Sequence, residues 1–498
     1  MSSLIKISLW LSLSELAFNF SGYIIHALLG RTLGPADYGR FSLVIVFATM
    51  IVILIGRGVP IAMNKYLSEI KIDQKNPESK TRFFEIKQAS MILQLVIIAT
   101  FTSVYFFASP YIAILLKDES LTPLFQLSSL IIPAFGLASF YVYYYTGIQH
   151  FNKQAFLKFF RASAKILLIV GLACLFNVKG AIIGQATAPF LVFLIAIFMD
   201  PFKMFKEKQI KVSSNKKTYK KLFDFAWVII FFLIFYELMI SIDLYLVKAI
   251  LQDDALTGVY NAALTVGRIP YYAFYFLTII LLPKTSQLIT EGSKDKIQKL
   301  LQSSFKFLFM FIFPVVTITA LFADPAIRFF YGNQYRLGAP SLEILIFGFG
   351  FLTVFYVLTF VLNGAGKNKI PLFISILGAT LNAILNYIFI QKYGLIGSAI
   401  ATTITSFIVM IIALIYTNKT ITRFIQPISL LKYFVASIAI YLIGQLDFFT
   451  QGKYIFILWS FILLVIYLLI LFLLGEIKKD DLQFIIKAFR KNKIINES

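Results

Sequence analysis

The 498-residue chain is 59% hydrophobic and only 14% charged, and it carries a formal net charge of +22. With a mean hydropathy of +0.83 it has too little polar surface to cover a water-soluble core, so we predict an integral membrane protein. One cysteine excludes an internal disulfide, and two histidines are too few for a metal centre, so we expect no metal and no redox site. The excess of Lys and Arg indicates cytoplasmic loops rather than a nucleic-acid surface.

Apolar runs long enough to cross a bilayer recur along the whole chain, separated by turn residues. We predict fourteen transmembrane spans, near residues 8–30, 40–65, 88–109, 122–146, 156–177, 180–200, 222–249, 257–283, 303–323, 340–362, 370–391, 395–417, 429–447 and 454–475. The predicted fold class is therefore an all-α polytopic membrane protein. The first run lacks a small-residue cleavage site, so we expect a retained helix rather than a removed signal.

Basic residues are concentrated in every second loop. The loops at residues 65–87, 203–221 and 284–306 carry six, eight and five Lys or Arg residues, whereas the intervening loops carry one or two. The positive-inside rule therefore places both termini in the cytoplasm, which agrees with an even number of spans in a cell membrane. After Gly475, apolar residues at helical spacing among lysines predict an amphipathic helix on the inner leaflet, with a disordered basic tail as the alternative.

The two halves of the chain resemble each other at a nearly constant spacing. A shift of 217 positions pairs Gly180 with Gly397, and a shift of 219 positions pairs Gly39 with Gly258. Because six spans is an even number, spans 1–6 and spans 7–12 run in the same direction, as a parallel repeat about an axis along the membrane normal. Such paired bundles are a transporter design, in which the substrate binds between the halves.

The repeat predicts five regions in the chain. They are an N-lobe at 1–200, a cytoplasmic linker at 201–221, a C-lobe at 222–417, two further spans at 418–475 and a basic amphipathic cytoplasmic tail at 476–498.

Four stretches carry a family resemblance: LGRTLGPADYGRFSLV (29–44), LTGVYNAALTVGRIP (256–270), LNGAGKNKI (362–370) and YGLIGSAIAT (393–402). They resemble the polysaccharide-biosynthesis (Wzx-type) oligosaccharide flippases of the multidrug/oligosaccharidyl-lipid/polysaccharide (MOP) exporter superfamily. The resemblance implies two pseudo-symmetric six-helix lobes around a central cavity and two C-terminal helices. It also implies that polyprenyl-diphosphate-linked glycans move from the inner to the outer leaflet by alternating access.

Ionisable residues inside the spans are the candidate site residues, because each costs about 2.5–3.5 kcal/mol at the bilayer centre unless it faces a cavity or a partner. Arg57 and Arg268 lie on spans 2 and 8, which the repeat relates to each other. A guanidinium binds a diphosphate through two parallel hydrogen bonds and stays charged, so we predict that both bind substrate. A snorkelling or structural role is the alternative.

Two further cations, Arg161 and Lys165, lie four residues apart on one face of span 5. We predict that they guide the anionic headgroup inward, and snorkelling explains them nearly as well. Glu15 on span 1 and Glu237 and Asp243 on span 7 are the acidic candidates. They either bind a coupling proton or Na⁺ or neutralise the arginines as static ion pairs.

We find no P-loop, nucleophile elbow or zinc-ligand spacing, so we expect a transporter rather than an enzyme. Expected partners are the lipid-linked glycan and membrane lipids, with a polysaccharide polymerase and glycosyltransferases as further candidates. A cation-coupled multidrug exporter and a lipid II flippase are the alternative functions within the superfamily. We expect Lys248 to be a solvated charge near the outer rim, with an exit path for the substrate as the alternative. We expect Tyr141, Tyr144 and Tyr145 to form an aromatic belt at the inner face, with sugar stacking as the alternative.

Overall fold

The computed structural model describes residues 2–70, 77–200, 216–446 and 455–477, and within these ranges the chain forms helices and turns but no strand. Side chains are described there except at positions 2–19, 57, 77, 78, 80, 216–218, 220–230, 275, 276 and 279. The side chains of Glu15 and Arg57, most of the predicted linker and nearly all of the predicted tail therefore lie outside the described residues.

Sixteen α-helices follow one another along the described chain. The first six are α1 (Ser2–Arg57), α2 (Val59–Ser68), α3 (Pro77–Leu115), α4 (Thr122–Ser128), α5 (Ile131–Gly147) and α6 (Phe151–Phe198). The next six are α7 (Lys216–Leu251), α8 (Asp254–Gly267), α9 (Ile269–Ala273), α10 (Tyr275–Thr290), α11 (Lys294–Leu321) and α12 (Ala323–Tyr331). The last four are α13 (Ala339–Gly364), α14 (Lys369–Thr420), α15 (Pro427–Gly444) and α16 (Ile455–Leu473). Short 3₁₀ helices at Glu119–Leu121 and Asn333–Gly338 precede α4 and α13.

Nine helical stretches in the described part of the chain are long and apolar enough to cross a membrane. Three of them, Phe20–Ser68, Phe151–Phe198 and Lys369–Thr420, are 49, 48 and 52 residues long and are interrupted inside, so each covers two of the predicted spans. The protein is therefore an all-α, multi-pass membrane protein, as its composition predicts. The total of fourteen spans remains a prediction.

The long helices break at positions that the sequence repeat relates. Asn177 interrupts α6 with φ 50° and ψ −135°, and Gly394 interrupts α14 with φ 57° and ψ −133°. These residues are 217 positions apart, as are Gln149 and Gly366, which both have positive φ. Positive φ favours glycine and is tolerated by few other residues. When it recurs 217 positions later at two places in the chain, the two segments share a backbone fold. The repeat predicted from the sequence is therefore present in the backbone.

Each break folds a long helix into a tight antiparallel hairpin. A Cβ atom on Gly180 would overlap the carbonyl oxygen of Leu172, and one on Gly397 would overlap that of Phe389. Both glycines and both carbonyls are again 217 positions apart, and only a glycine allows backbones to approach so closely. The predicted pairing of Gly180 with Gly397 is therefore confirmed as a shared backbone contact.

The other predicted glycine pair, Gly39 and Gly258, forms a crossing between α1 and α8. Gly34, with φ 75° and ψ 172°, breaks α1 just before Pro35. After this break, a Cβ on Gly39 would overlap the carbonyl oxygen of Asp254, and a Cβ on Gly258 would overlap that of Pro35. We call Pro35, Gly39, Asp254 and Gly258 the glycine crossing. Two residues that correspond in the repeat thus meet each other directly.

Contacts divide the chain into two compact units. Unit 1 comprises Met1–Thr265, Phe330–Leu337 and Leu372–Thr402, and unit 2 comprises Val266–Phe329, Gly338–Pro371 and Thr403–Ser498. One core of unit 1 is built from buried aromatic residues that include Phe83 and Tyr145. One core of unit 2 lies around Tyr433 of α15 and Tyr467 of α16. The predicted lobe boundaries remain predictions.

Replacing Gly258 with Ala should lower the free energy of unfolding by about 1–3 kcal/mol, the usual cost of overpacking. The added methyl group would overlap the Pro35 carbonyl, so the crossing must widen. Thermal unfolding of the detergent-purified protein measures the change.

Gly171→Ala is the matched control, because a Cβ on Gly171 of α6 would meet nothing within 4 Å. It should leave the protein equally or more stable, since Ala favours a helix over Gly by about 1 kcal/mol. Wild-type stability of the Gly258→Ala variant would contradict a rigid glycine crossing.

Candidate functional site

The carboxylate of Asp243 in α7 is fully buried among uncharged polar groups. Its Oδ2 accepts hydrogen bonds from the hydroxyls of Tyr260 and Thr402, each at 3.1 Å. Its Oδ1 accepts one from the backbone N–H of Leu244 at 2.8 Å. Burying a carboxylate is costly unless hydrogen bonds, a proton or a cation compensate for the lost hydration. These donors therefore hold the carboxylate in a defined orientation inside unit 1.

Two asparagines and a serine extend this network. The Nδ2 of Asn386 donates to the Oδ1 of Asn382 at 2.7 Å, and the Nδ2 of Asn382 donates to the carbonyl of Met239 at 2.7 Å. The Ser398 hydroxyl donates to the Oδ1 of Asn386 at 2.6 Å and lies 2.9 Å from the hydroxyl of Tyr260. The result is a cluster of carboxylate, amide and hydroxyl oxygens, which are the ligands that hard cations prefer.

The break in α14 explains why these residues meet. Asn382 and Asn386 lie four residues apart before Gly394, and Ser398 and Thr402 lie four residues apart after it. Each pair therefore shares one helix face. The hairpin brings the two faces together. The contact is seen in the distance of 3.3 Å between the Thr402 hydroxyl and the Oδ1 of Asn382.

The two predicted substrate arginines both lie at helix breaks followed by a proline. Arg57 is the last residue of α1, and Pro60 is in the first turn of α2 beyond Gly58. Arg268 lies between α8 and α9, and Pro270 is in the first turn of α9. A proline lacks an N–H, so Pro60 and Pro270 cannot donate to the carbonyl oxygens of Gly56 and Val266, four residues earlier in the chain.

Arg268 is half-buried, and its guanidinium carbon lies 5.7 Å from the ring centroid of Phe349. Stacking on an aromatic face orients a guanidinium without neutralising its charge. A shared cavity for Arg57 and Arg268 remains a prediction.

Arg161 and Lys165 lie on the inward face of α6. Arg161 is 6% exposed, and its guanidinium carbon lies 4.8 Å from the ring centroid of Phe135, while Lys165 is half-buried. Phe159 and Leu167, on the opposite side of the same turns, are exposed. The side of α6 that carries Phe159 and Leu167 is the exposed side, so Arg161 and Lys165 point into the protein. This burial speaks against simple snorkelling to the bilayer surface.

The acidic candidates differ in their surroundings. Asp243 lies in the polar network, whereas Glu237, six residues earlier in α7, is half-buried and on a different face of the helix. The side chain of Glu15 lies outside the described residues. The structure therefore gives Asp243 a defined polar environment.

Uncharged polar residues are what the sequence analysis missed. Tyr260, Asn382, Asn386, Ser398 and Thr402 carry no charge, and a search for ionisable residues in apolar spans passes over them. The available signal was the spacing of four residues between polar side chains in otherwise apolar spans, which predicts a polar helix face.

Lys248 is not the solvated charge that the sequence analysis expected. Its ammonium is only 4% exposed and pairs with Asp118 at 2.7 Å and with Asp254. Arg40 pairs with Asp254 at 2.8 Å and donates to Ser120 at 2.6 Å. Burial alone would raise the pKa of the Asp118 carboxyl, but its bonds to Lys248 and Ser120 outweigh this effect and hold the pKa below its usual range. These four charged residues thus form a cluster beside the glycine crossing, to which Asp254 also belongs.

A second buried ion pair joins α3 to the end of α6. The ammonium of Lys87 is fully buried and lies 2.6 Å from the Oδ2 of Asp200, whose Oδ1 accepts a hydrogen bond from Tyr144 at 2.9 Å. Tyr144 and Tyr145 are fully buried, and Tyr141 is 6% exposed. The predicted aromatic belt is therefore wrong for these three rings, which instead pack around a buried ion pair.

Comparison with known proteins agrees with this architecture. Residues 4–289, more than half of the chain, match the family described as polysaccharide biosynthesis protein. The chain belongs to that family. Residues 228–388 also match the MatE family. This polysaccharide biosynthesis protein is thus a membrane transporter of the MOP superfamily, as its sequence motifs predict.

Relatives and a solved structure extend the family match over most of the chain. An uncharacterized membrane protein of Methanocaldococcus jannaschii is 26% identical over 418 residues, covering 80% of each chain. A candidate O-antigen transporter of Shigella flexneri is 24% identical and covers 81% of this chain and 94% of its own. The lipid II flippase MurJ, in an inward closed conformation, shares the fold with a TM-score of 0.73 at 19% identity, covering 94% and 98% of the two chains.

Replacing Lys87 with Met should lower the free energy of unfolding by about 3–5 kcal/mol, because it leaves Asp200 buried without its cation. The double variant Lys87→Met/Asp200→Asn should recover more than half of that loss, since a neutral amide can still accept the hydrogen bond from Tyr144. Thermal unfolding of the purified variants gives both values.

Lys296→Met is the control, because Lys296 is 68% exposed and lies 3.9 Å from Glu291. Exposed ion pairs contribute about 0–1 kcal/mol, so this change should be nearly neutral. Equal losses in the Lys87 and Lys296 variants would contradict a stabilising role for the buried pair.

Proposed function

We propose that this protein is a flippase that carries a polyprenyl-diphosphate-linked oligosaccharide from the inner to the outer leaflet by alternating access. The observation that carries the proposal is the position of Arg57 and Arg268, each at a proline-associated break inside an apolar stretch of a polysaccharide biosynthesis family member. The names of two similar proteins, an O-antigen transporter and a lipid II flippase, support a lipid-linked glycan as the substrate class.

The chemistry of the arginines suits a diphosphate headgroup. A guanidinium forms two parallel hydrogen bonds with phosphate oxygens and keeps its charge at every relevant pH. Broken helices in transporters present free backbone groups to their substrates, and both arginines lie beside such breaks. Arg161 and Lys165, which point inward from α6, would guide the anionic headgroup inward. No step forms or breaks a covalent bond.

We further propose that the polar network around Asp243 takes up the coupling ion. One carboxylate, linked by hydrogen bonds to a network that holds the oxygens of Asn382, Asn386, Ser398 and Thr402, offers ligands that can replace the hydration shell of Na⁺. A proton needs only the carboxylate, so the number of oxygens favours Na⁺. Glu15 and Glu237 remain secondary candidates for ion coupling or for pairing with the arginines.

The distribution of basic loops supports an orientation with both termini in the cytoplasm of a cell membrane. In that orientation the glycine crossing lies at the outer side. A polysaccharide polymerase and glycosyltransferases are proposed partners, because they would consume the exported unit and supply its substrate.

A cation-coupled multidrug exporter is the second candidate, because residues 228–388 match the MatE family. Such an exporter binds organic cations, which the positive charges of the proposed arginine site would repel. Deleting the gene separates the two functions: a flippase predicts a lipid-linked glycan that accumulates on the cytoplasmic leaflet, whereas an exporter predicts sensitivity to organic cations.

Arg57→Ala and Arg268→Ala should each reduce surface-glycan export by about tenfold or more, because a hydrogen bond between charged groups contributes about 1.5–3 kcal/mol. Lys at either position should restore export in part, since it keeps the charge but loses the bidentate geometry. Glycan export in a deletion strain that carries each variant is the measurement.

Arg82→Ala serves as the control, because Arg82 is exposed on α3. It should export normally at an equal amount of protein in the membrane. Normal export by both Arg57→Ala and Arg268→Ala would overturn the proposed diphosphate site.

Asp243→Asn should abolish stabilisation of the protein by Na⁺. A cation that binds the folded state at about a hundred times its Kd stabilises it by about 2.7 kcal/mol, which appears as a rise in melting temperature. NaCl is compared with choline chloride at equal ionic strength, using the purified full-length protein.

Asp295→Asn is the matched control, because Asp295 is exposed in the first turn of α11. It should keep the response to Na⁺. If the wild-type protein shows no Na⁺-specific stabilisation, Na⁺ binding at Asp243 is wrong.

A further inference from the structure

The first turns of α8 contact α1 through a buried amide. The Nδ2 of Asn261 donates to the hydroxyl of Tyr38 at 2.9 Å and to the hydroxyl of Ser42 at 2.8 Å. Asn261 is 2% exposed, and Tyr38 and Ser42 are fully buried. Both hydroxyls belong to the part of α1 that follows the break at Gly34. A buried amide that loses such partners is left unsatisfied unless water enters, so this contact is either fully formed or open.

The neighbouring residue on α8 contacts the Asp243 network instead. The Tyr260 hydroxyl donates to Asp243 at 3.1 Å and lies 2.9 Å from the Ser398 hydroxyl. Consecutive residues on a helix are turned by about 100° from each other. Tyr260 and Asn261 therefore connect two different faces of the same helical turn to two different sites.

The face that contacts α1 has little freedom to adjust. Asp254, Gly258 and Asn261 follow one another at the spacing of one helix face. Gly258 lies against the backbone of Pro35, and Asp254 forms an ion pair with Arg40 at 2.8 Å. A close-packed contact of this kind transmits a small displacement rather than absorbing it.

We propose that α8 couples the ion site to the glycine crossing, with Asn261 as the residue that transmits the change. The proposal rests on the proposed uptake of Na⁺ by Asp243. Without the cation, the Tyr260 hydroxyl donates its hydrogen to the Asp243 carboxylate. A cation on that carboxylate repels the hydroxyl hydrogen and attracts the hydroxyl oxygen, so the hydroxyl turns and Tyr260 moves towards the cation as a ligand. The accompanying displacement of α8 breaks or restores the bonds of Asn261 to α1.

In the proposed orientation the crossing lies at the outer side. Occupancy of the ion site therefore sets whether the outer ends of α1 and α8 are joined. Asn261 is a positioning residue: it touches neither ion nor substrate in this arrangement, and it acts through the Tyr38 and Ser42 hydroxyls.

Distance measurements between spin labels test the proposal. Labels are placed at Ala36→Cys and Gln252→Cys, both exposed positions beside the crossing, in a Cys174→Ser background of the full-length protein in lipid nanodiscs. Exchanging choline for Na⁺ should change the ratio of the two distance populations by about fivefold or more, the lower end of typical allosteric coupling. Asn261→Ala should remove this response while Na⁺ still raises the melting temperature.

A second variant reaches the same contact from α1. Tyr38→Phe/Ser42→Ala removes both hydroxyl partners and leaves Asn261 intact, so it should lose the Na⁺ response in the same way. Thr257→Val is the matched control, because the Thr257 hydroxyl donates at 2.6 Å to the backbone carbonyl of Asp253, the residue just before α8, and not to α1. It should keep the response.

The outcomes separate the coupling from the ion site. Absence of Na⁺ stabilisation in the parent protein overturns the ion site and, with it, the coupling. Na⁺ stabilisation combined with an unchanged distance response in Asn261→Ala and in the α1 double variant overturns the coupling alone. Loss of Na⁺ stabilisation in Asn261→Ala also contradicts the proposal, because Asn261 would then shape the ion site itself.

Discussion

The close approach of α1 and α8 at the glycine crossing is the constraint on which the polar chemistry of unit 1 depends. Gly39 and Gly258 let the two backbones touch, because a Cβ on either would overlap a carbonyl oxygen of the other helix. That approach brings Asn261 within hydrogen-bonding distance of Tyr38 and Ser42. It also brings Asp254 to Arg40. A wider crossing would leave these buried polar groups without the partners that compensate for their burial.

Buried charges in this protein are held in two ways. The buried cations Lys87 and Lys248 form ion pairs with carboxylates. Breaking such a pair leaves a buried charge without its partner, so each pair holds the segments that it joins together. Asp243 accepts hydrogen bonds from two hydroxyls and a backbone N–H, with amide groups in the same network. The first arrangement suits a structural joint, and the oxygen-rich second arrangement suits the proposed cation site. The predicted arginines at helix breaks suit a third purpose, which is to hold an anion that moves.

The internal repeat links these features. The same left-handed turn occurs at Asn177 and Gly394. It is the second copy that joins the Asp243 network, through Asn382 and Asn386 before the turn and a serine and a threonine after it. Duplicated architecture with different side chains lets one hairpin carry the cations Arg161 and Lys165 while the other builds the polar network around Asp243. Function in such a fold comes from the residues placed on it rather than from the fold.

The class of protein follows from the amino-acid sequence alone, because hydropathy and turn residues report directly on what a bilayer accepts. The repeat follows from it too, since Gly180 and Gly397 are required where backbones touch. Charge counting identified Asp243 but missed Tyr260, Asn261 and Thr402, because a search for ionisable residues passes over uncharged polar side chains. It also made Lys248 look solvated, because its carboxylate partner Asp118 is distant in sequence. Which polar groups meet depends on the tertiary structure, because hydrogen bonds join residues as far apart in sequence as Ser42 and Asn261 or Asp243 and Thr402.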